Sequence, residues 1–594
     1  MNPSNHSTQK RLFQTLALAL GFASIVAVRA APPDYPPAKF PATGGWGKNI
    51  QRTMRLPATS TAEQRNTVRI LFYGQSITEQ QWAKLVEEDL RGRFPHADLV
   101  IENRALGGFA SQMLARTAET DLYPFQPDLL IFHVYGAHDK YEDIIRRTRE
   151  RTCTEILIQT DHVTKAADLT EETDPAKVPI QSGKWEAFFN HNFLPSLAEK
   201  YGAELCDQRA LWKAYLTENK LEPSALLKDG VHLNAHGEFL MAEIVKAHLR
   251  RDAKFDPSPA EAWVKTLTVG KDVRFENGKL RVEFEGNRVD VVCKTGTAAP
   301  AAVTIDGQKP SGISSLYGFT RALTEPEGKW PVKWPVVAPI GSEKLLLVED
   351  WTLDVKRADP ANEKLFTFTL QGSKTGADGE GRSDQKFISN SGRIVIMPED
   401  WNAAYALALA GIKPVPESFT VKWSVVPRFV DEFISPGIKD PAIETTITLA
   451  QGLANTQHTL EIDGGAETIA ALSLGAAAAA MIFYHLKRQP WRDVVPFTTS
   501  ESLALCEQRK LEDGTLVELN RGASITATFT IAERRVRLDR GEAHFTVTRD
   551  PSRTFVVEAG GVAVCAVGTA FCVTLQPGSV AVLVTEGTVR LTSP

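Results

Sequence analysis

Cysteine is scarce in this chain, with six in 594 residues, too few for the disulfide framework that small exported domains use in place of a large core. Positive charge is not concentrated anywhere either. The 67 basic and 72 acidic residues are mixed along the sequence and leave a formal net charge of −5, so nucleic acid is not an expected partner. No group of Cys and His has the spacing of a ligand set, and neither a metal nor another cofactor is expected. Cys153 and Cys206 sit in strand-like runs, and Cys293, Cys506, Cys565 and Cys572 in apolar β patterns where a free thiol packs as a small hydrophobe.

The length exceeds what one core supports and implies several domains. Lys10 and Arg11, the apolar stretch from Leu16 to Ala27 and the small-residue end at Ala30 read as a secretory signal over 1–30. A Pro-rich leader follows over 31–66, its stretch from Pro32 to Pro41 expected to be an extended linker. From 67 to 255, β-like runs alternate with helical ones, the pattern of a parallel sheet covered on both faces, which places ligands at the carboxyl ends of its strands. Short β-like runs split by Gly, Asn and Asp fill 262–465 and predict a β-sandwich-like accessory region. Within it, Trp330-Pro331-Val332-Lys333-Trp334 could stack on sugar rings or sit half-buried in a loop. A helical stretch from Trp401 to Gly411 interrupts the strands for no reason legible in the sequence.

Chemistry is concentrated in the 67–255 region. Gly74-Gln75-Ser76-Ile77-Thr78 ends an apolar strand, and far downstream Asp229-Gly230-Val231-His232 precedes a helix. A serine hydroxyl needs an imidazole to take its proton, and the imidazole needs a carboxylate to fix its tautomer, so an Asp-x-x-His turn supplies both partners at once. Asn103-Arg104-Ala105-Leu106-Gly107-Gly108 and Gly136-Ala137-His138-Asp139 each follow a strand between them. In these four ordered blocks the chain resembles the SGNH (GDSL-type) hydrolases over about residues 67 to 250. The resemblance implies an α/β three-layer, flavodoxin-like fold with Ser76 as nucleophile, His232 as base and Asp229 as its orienting partner. It further implies oxyanion donors at the Ser76 and Gly108 N–H groups and at His138. Gln75 stands where that family usually has Asp, and His138 where it has Asn. Asp161-His162, after another strand, reads as a contact behind the site or to substrate, or as a solvated pair.

Ile469 to Leu486 is apolar and alanine-rich, and its 18 residues just reach membrane-spanning length. Residues 500–594 are again β-patterned. With their D-G-T, G-E-A-x-F and G-T-x-F landmarks they resemble the FecR domain, which implies an all-β fold, an envelope setting and a signalling partner. The two resemblances conflict in topology: export of the hydrolase with one span at 469–486 leaves the tail in the cytoplasm, as Lys487 and Arg488 also favour, whereas FecR domains are usually periplasmic. The expected function is that of an exported serine esterase deacylating, most plausibly deacetylating, a carbohydrate in the periplasm or cell envelope. The alternative is an envelope sensor whose hydrolase fold only binds ligand.

Overall fold

A computed structural model describes residues 35–40, 45–475 and 507–592, apart from 183, 258–263, 325–331, 440–444 and short stretches of the last segment at 520–522, 531–532, 549, 551–552, 567–569, 577–578 and 587–588. The expected signal at 1–30 and Cys506 lie outside these residues. The chain divides after Gln489 into two units.

The first unit begins with a three-layer α/β domain. Its strands are β1 (Thr67–Gly74), β2 (Asp98–Asn103), β3 (Leu129–His133), β4 (Glu155–Gln159) and β5 (Glu204–Cys206), all parallel in the order β2-β1-β3-β4-β5. Along β1 the side chains alternate between faces: Val68, Ile70 and Phe72 enter one core, and Leu71 and Tyr73 the other. Helices α1 (Gln51–Ala58), α2 (Gln81–Arg93), α7 (Gln208–Glu218) and α8 (Ala235–His248) cover the first face; α3 (Ser111–Asp121), α4 (His138–Arg151), α5 (Trp185–Phe188) and α6 (Leu194–Tyr201) cover the second. The order reverses between β1 and β3, and a parallel sheet of this topology opens its ligand crevice there. In the leader, residues 35–40 form neither helix nor strand, and the chain then enters α1, where Ile50 and Met54 are buried in the first core.

Among the described residues the β-rich middle is two nested six-stranded sheets and a small two-stranded one, Phe387–Ile388 with Val395–Ile396. Val264–Thr268, Lys279–Cys293 and Ala301–Ile305 from one side, and Glu432–Phe433, Thr445–Asp463 and Ile469–Gly475 from the other, form one sheet of six strands. The chain between them builds a second six-stranded sheet with its own core around Trp351, Phe366, Phe368 and Trp423. Helix α9 (Ala403–Leu409) plugs that core with Ala403, Ala406 and Leu407. The inserted module is tied to the α/β domain by Arg321, whose guanidinium holds the buried Asp121 carboxylate at 2.7 and 2.9 Å.

The apolar run at 469–486 does not form one spanning helix. Ile469–Gly475 is a strand between Lys279–Cys293 and Val264–Thr268, with Ile469 and Leu472 wholly buried; residues 476–486 lie outside those described. Leucine, isoleucine and alanine serve a doubly covered strand as well as a lipid-facing helix, so hydropathy alone does not separate the two. Among the described residues no helix is long and apolar enough to cross a membrane.

In the second unit, nine strands make one β module whose long strand Glu533–Thr546 pairs parallel with Thr554–Ala559 and antiparallel with its other neighbours. The D-G-T landmark holds this module together from inside: Asp513 accepts from the Thr515 N–H and hydroxyl and holds the buried Arg534 guanidinium at 2.7 Å. Removing either charge leaves the other buried and unpaired, which is the costly case.

Leu472→Ala removes a fully buried side chain from an inner strand, so the first unit should lose about 2–5 kcal/mol of stability, read as a lower denaturant midpoint. A variant as stable as the parent would show that this segment does not pack in the sheet.

Candidate active site

Ser76 sits at the carboxyl end of β1, at the point where the strand order reverses. Gly74 makes the approach possible: a Cβ there would lie 2.2 Å from the His133 carbonyl of β3 and 2.4 Å from Thr78 Oγ1. Turn hydrogen bonds from Thr78 and Glu79 N–H to the Gln75 carbonyl follow, and α2 begins only at Gln81. Ser76 therefore stands on a turn ahead of the helix rather than on its first residue.

The base arrives from the opposite end of the domain. His232 Nε2 is 2.9 Å from Ser76 Oγ, and His232 Nδ1 is 3.0 Å from Asp229 Oδ2. Asp229 also accepts the backbone N–H groups of His232 and Val231 at 2.7 and 2.8 Å. These N–H bonds, above all that from His232, hold its carboxyl down to about 2, so it remains an anion facing the imidazole. Ser76, His232 and Asp229 are thus brought together in one row of hydrogen-bond contacts.

This turn is exposed and is anchored by Gln80, which the sequence did not single out, and by His162, which it did. Gln80 binds Leu233 at both ends: its Oε1 accepts the Leu233 N–H at 3.0 Å, and its Nε2 donates to the Leu233 carbonyl at 2.8 Å. His162 Nε2 lies 2.8 Å from the Val231 carbonyl. Burial lowers His162 to about 4, so the ring is neutral and donates this bond through Nε2–H. Of the Asp161-His162 pair, His162 therefore supports the 229–232 turn from behind, while Asp161 accepts nothing from it: its N–H donates to Asn190 and its carboxylate lies 3.2 Å from His133. His236 is not placed as a base, for it stacks on Tyr35 at 4.2 Å and contacts the Tyr215 hydroxyl at 2.7 Å, just inside the helix that Asn234 caps.

Gly107 packs beside the nucleophile, close enough that a Cβ on it would meet Ser76 Cβ at 3.3 Å. Gly108 has φ +81°, a left-handed backbone that favours glycine, and a Cβ there would lie 2.7 Å from Leu409 Cδ2 of α9. Asn103 joins the two turns, donating to the Thr78 carbonyl at 2.7 Å and accepting the Ala105 N–H at 3.1 Å. His138 opens α4 among Trp185, Phe188, Phe189 and Phe193, with ring centroids 4.7–5.7 Å away. Its Nε2 is buried without a partner, and burial lowers its pKa, so the ring is neutral.

The accessory module reaches this site as well. Trp334 does not offer its face to a sugar ring; its indole N–H is committed to the Gly107 carbonyl at 2.7 Å and its ring is packed against two cores. Trp330 and Pro331 lie outside the described residues. Tyr405 and Leu409, four apart on α9 and so on one helix face, project towards Gly108, and the Tyr405 hydroxyl donates to its carbonyl at 2.7 Å. The interruption at 401–411 is thereby explained as the element that meets the Gly107–Gly108 turn. Among the described residues no cluster of His, Cys, Asp and Glu could hold a metal ion.

Residues 507–590 match the FecR protein family. No curated protein sequence matches the chain. Among solved structures, the acetylxylan esterase Axe2 from Geobacillus stearothermophilus is similar at 17% identity, covering 32% of this chain and 98% of its own with a TM-score of 0.26. A two-domain esterase active on acetylated mannans is similar at 13% identity, covering 72% of this chain and 95% of its own with a TM-score of 0.27. An anti-sigma factor candidate from Parabacteroides distasonis is similar at 31% identity over 15% of this chain with a TM-score of 0.12, and this chain spans 47% of it.

His232→Ala should abolish turnover of an aryl acetate together with the acid limb of the rate–pH profile, while His236→Ala should leave both nearly intact. Because Asp229 is already ionised at about 2, it should add no further inflection between about pH 4 and pH 9. The reverse behaviour of the two histidine variants would move the base to His236.

Proposed function

We propose that the α/β domain is a serine esterase that removes acyl groups, acetyl in the first instance, from a carbohydrate outside the cytoplasm. The observation that carries this is the continuous chain Asp229–His232–Ser76, with both links at hydrogen-bond distance. Ser76 Oγ attacks the ester carbonyl and its proton passes to His232 Nε2; Asp229 stabilises the imidazolium. Collapse of the tetrahedral intermediate expels the alcohol, which takes that proton from His232. Water, deprotonated by the same nitrogen, then attacks the acyl-enzyme, and the acid leaves as Ser76 recovers its proton. The developing oxyanion is met by the N–H groups of Ser76 and Gly108 and by His138, whose buried neutral Nε2 is free of other partners. Losing one such donor costs about 2.7–4 kcal/mol of barrier.

A sugar substrate is supported by the exposed aromatic rings of Tyr135, Tyr405 and Trp185 on residues flanking the site, since flat apolar faces stack on sugar rings. Export is supported by the N-terminal pattern, and an envelope location with a signalling partner by the FecR match.

A fluorophosphonate probe should label the wild type at Ser76 and leave Ser76→Ala unlabelled, with acetate released from acetylated xylan or mannan by the wild type only. Equal labelling of the two proteins would refute the assignment. His138→Ala should lower kcat on an aryl acetate by roughly 10²-fold, whereas His138→Asn, which restores an amide donor, should retain or raise it. Unchanged turnover in His138→Ala would reduce His138 to a packing residue.

A further inference from the structure

The backbone N–H groups of Ser76 and Gly108 have no hydrogen-bond partner among the described residues, and the glycine turn lies against Ser76, a Cβ on Gly107 meeting Ser76 Cβ at 3.3 Å. The Gly108 N–H belongs to the peptide unit whose other end is the Gly107 carbonyl. That unit is planar and trans, so fixing the carbonyl fixes the direction of the N–H on the opposite side. The carbonyl is fixed by Trp334, whose indole N–H donates to it at 2.7 Å. The next carbonyl, that of Gly108, takes the Tyr405 hydroxyl at 2.7 Å. On the near side the Gly107 N–H donates to Glu79 Oε1 at 2.7 Å, and the same carboxylate is paired with Lys333. Every polar backbone group of Gly107 and Gly108 is therefore tied except the Gly108 N–H; Trp334 and Tyr405, which tie the two carbonyls, and Lys333, which pairs with Glu79, belong to the inserted β module.

A glycine pair needs such ties. With no Cβ the turn has a wide choice of backbone angles, and an N–H free to rotate away would have to be ordered during each turnover. A hydrogen bond at the carbonyl end also polarises the peptide and strengthens its N–H as a donor. We infer that Trp334 and Tyr405 are positioning residues for the oxyanion N–H of Gly108, so that the accessory module completes the catalytic machinery of the α/β domain. This rests on the esterase reading, because the N–H matters only if an oxyanion forms.

The test uses the full chain with Trp334→Phe and Tyr405→Phe, which keep an aromatic ring and delete one donor each. Tyr405 is exposed, so loss of its hydroxyl does not endanger folding and that variant decides the matter if Trp334→Phe is unstable. Three quantities are measured: kcat and KM on 4-nitrophenyl acetate, the rate–pH profile, and the affinity of phenylboronic acid. Boron takes the Ser76 oxygen to form a tetrahedral adduct whose oxygen occupies the oxyanion position. Each variant should lose about tenfold in kcat and by a similar factor in boronic-acid affinity, with KM within about twofold and the acid limb unmoved. Wild-type kcat and boronic-acid affinity in Tyr405→Phe, or a change confined to KM, would overturn the inference and leave the esterase reading intact. A wild type that neither turns over ester nor labels at Ser76 would instead overturn the esterase reading itself.

Discussion

The hydrogen bond from Ser76 to His232 spans 156 positions of sequence, and most of what is specific about the α/β domain serves to close that distance. Neither partner sits on a rigid element: Ser76 is on a turn ahead of α2, and His232 is on an exposed turn ahead of α8. The two turns are held to one another by the amide of Gln80, which binds Leu233 as both donor and acceptor. The outer part of the base turn is held from behind by the neutral ring of His162. A catalytic contact formed by two turns is only as well aligned as the polar side chains that tie them, and here those side chains are uncharged amides and imidazole. Such ties do not weaken with ionic strength as surface ion pairs do.

The candidate chemistry-bearing residues were noticeable in the sequence because Ser76, Gly108 and His138 each come soon after a strand of a parallel sheet and Asp229 and His232 share the short loop ahead of the last helix of the domain. Alternation of helix and strand was equally readable, since it depends on apolar periodicity within each element. The contacts between elements were not. Gln80 carries no pattern that distinguishes it from a solvated polar residue, and the position of His162 after a strand left a solvated pair equally open; both roles appear only when a loop 153 or 69 positions away is folded onto them. Trp334 and the stretch at 401–411 were noticeable but not interpretable, because an aromatic loop and an alanine-rich helix have the same appearance whether they face sugar, solvent or another domain.

The run at 469–486 failed for a different reason. A strand buried on both faces and flanked on both sides needs the same residues as a membrane span, and the only discriminating signal is length. Strand Ile469–Gly475 uses the first seven residues of that run, which joined an adjacent stretch in hydropathy without sharing its structure. The second unit was readable because its landmarks are short and local: Asp513-Gly514-Thr515 works within one turn and on one guanidinium.

The position of that strand also bears on where the chain can be divided. Ile469–Gly475 is not an edge: it lies between Lys279–Cys293 and Val264–Thr268, the strand nearest the α/β domain in sequence. A shortened protein ending at the apparent close of the β region, near residue 465, would keep both neighbours and delete what joins them. That would expose two rows of unpaired backbone donors and acceptors, a template for association with other copies. The natural point of separation between the first unit and the FecR-matching residues therefore falls after Gly475, and a solubility problem in a shorter fragment would reflect an opened sheet rather than an unstable α/β domain.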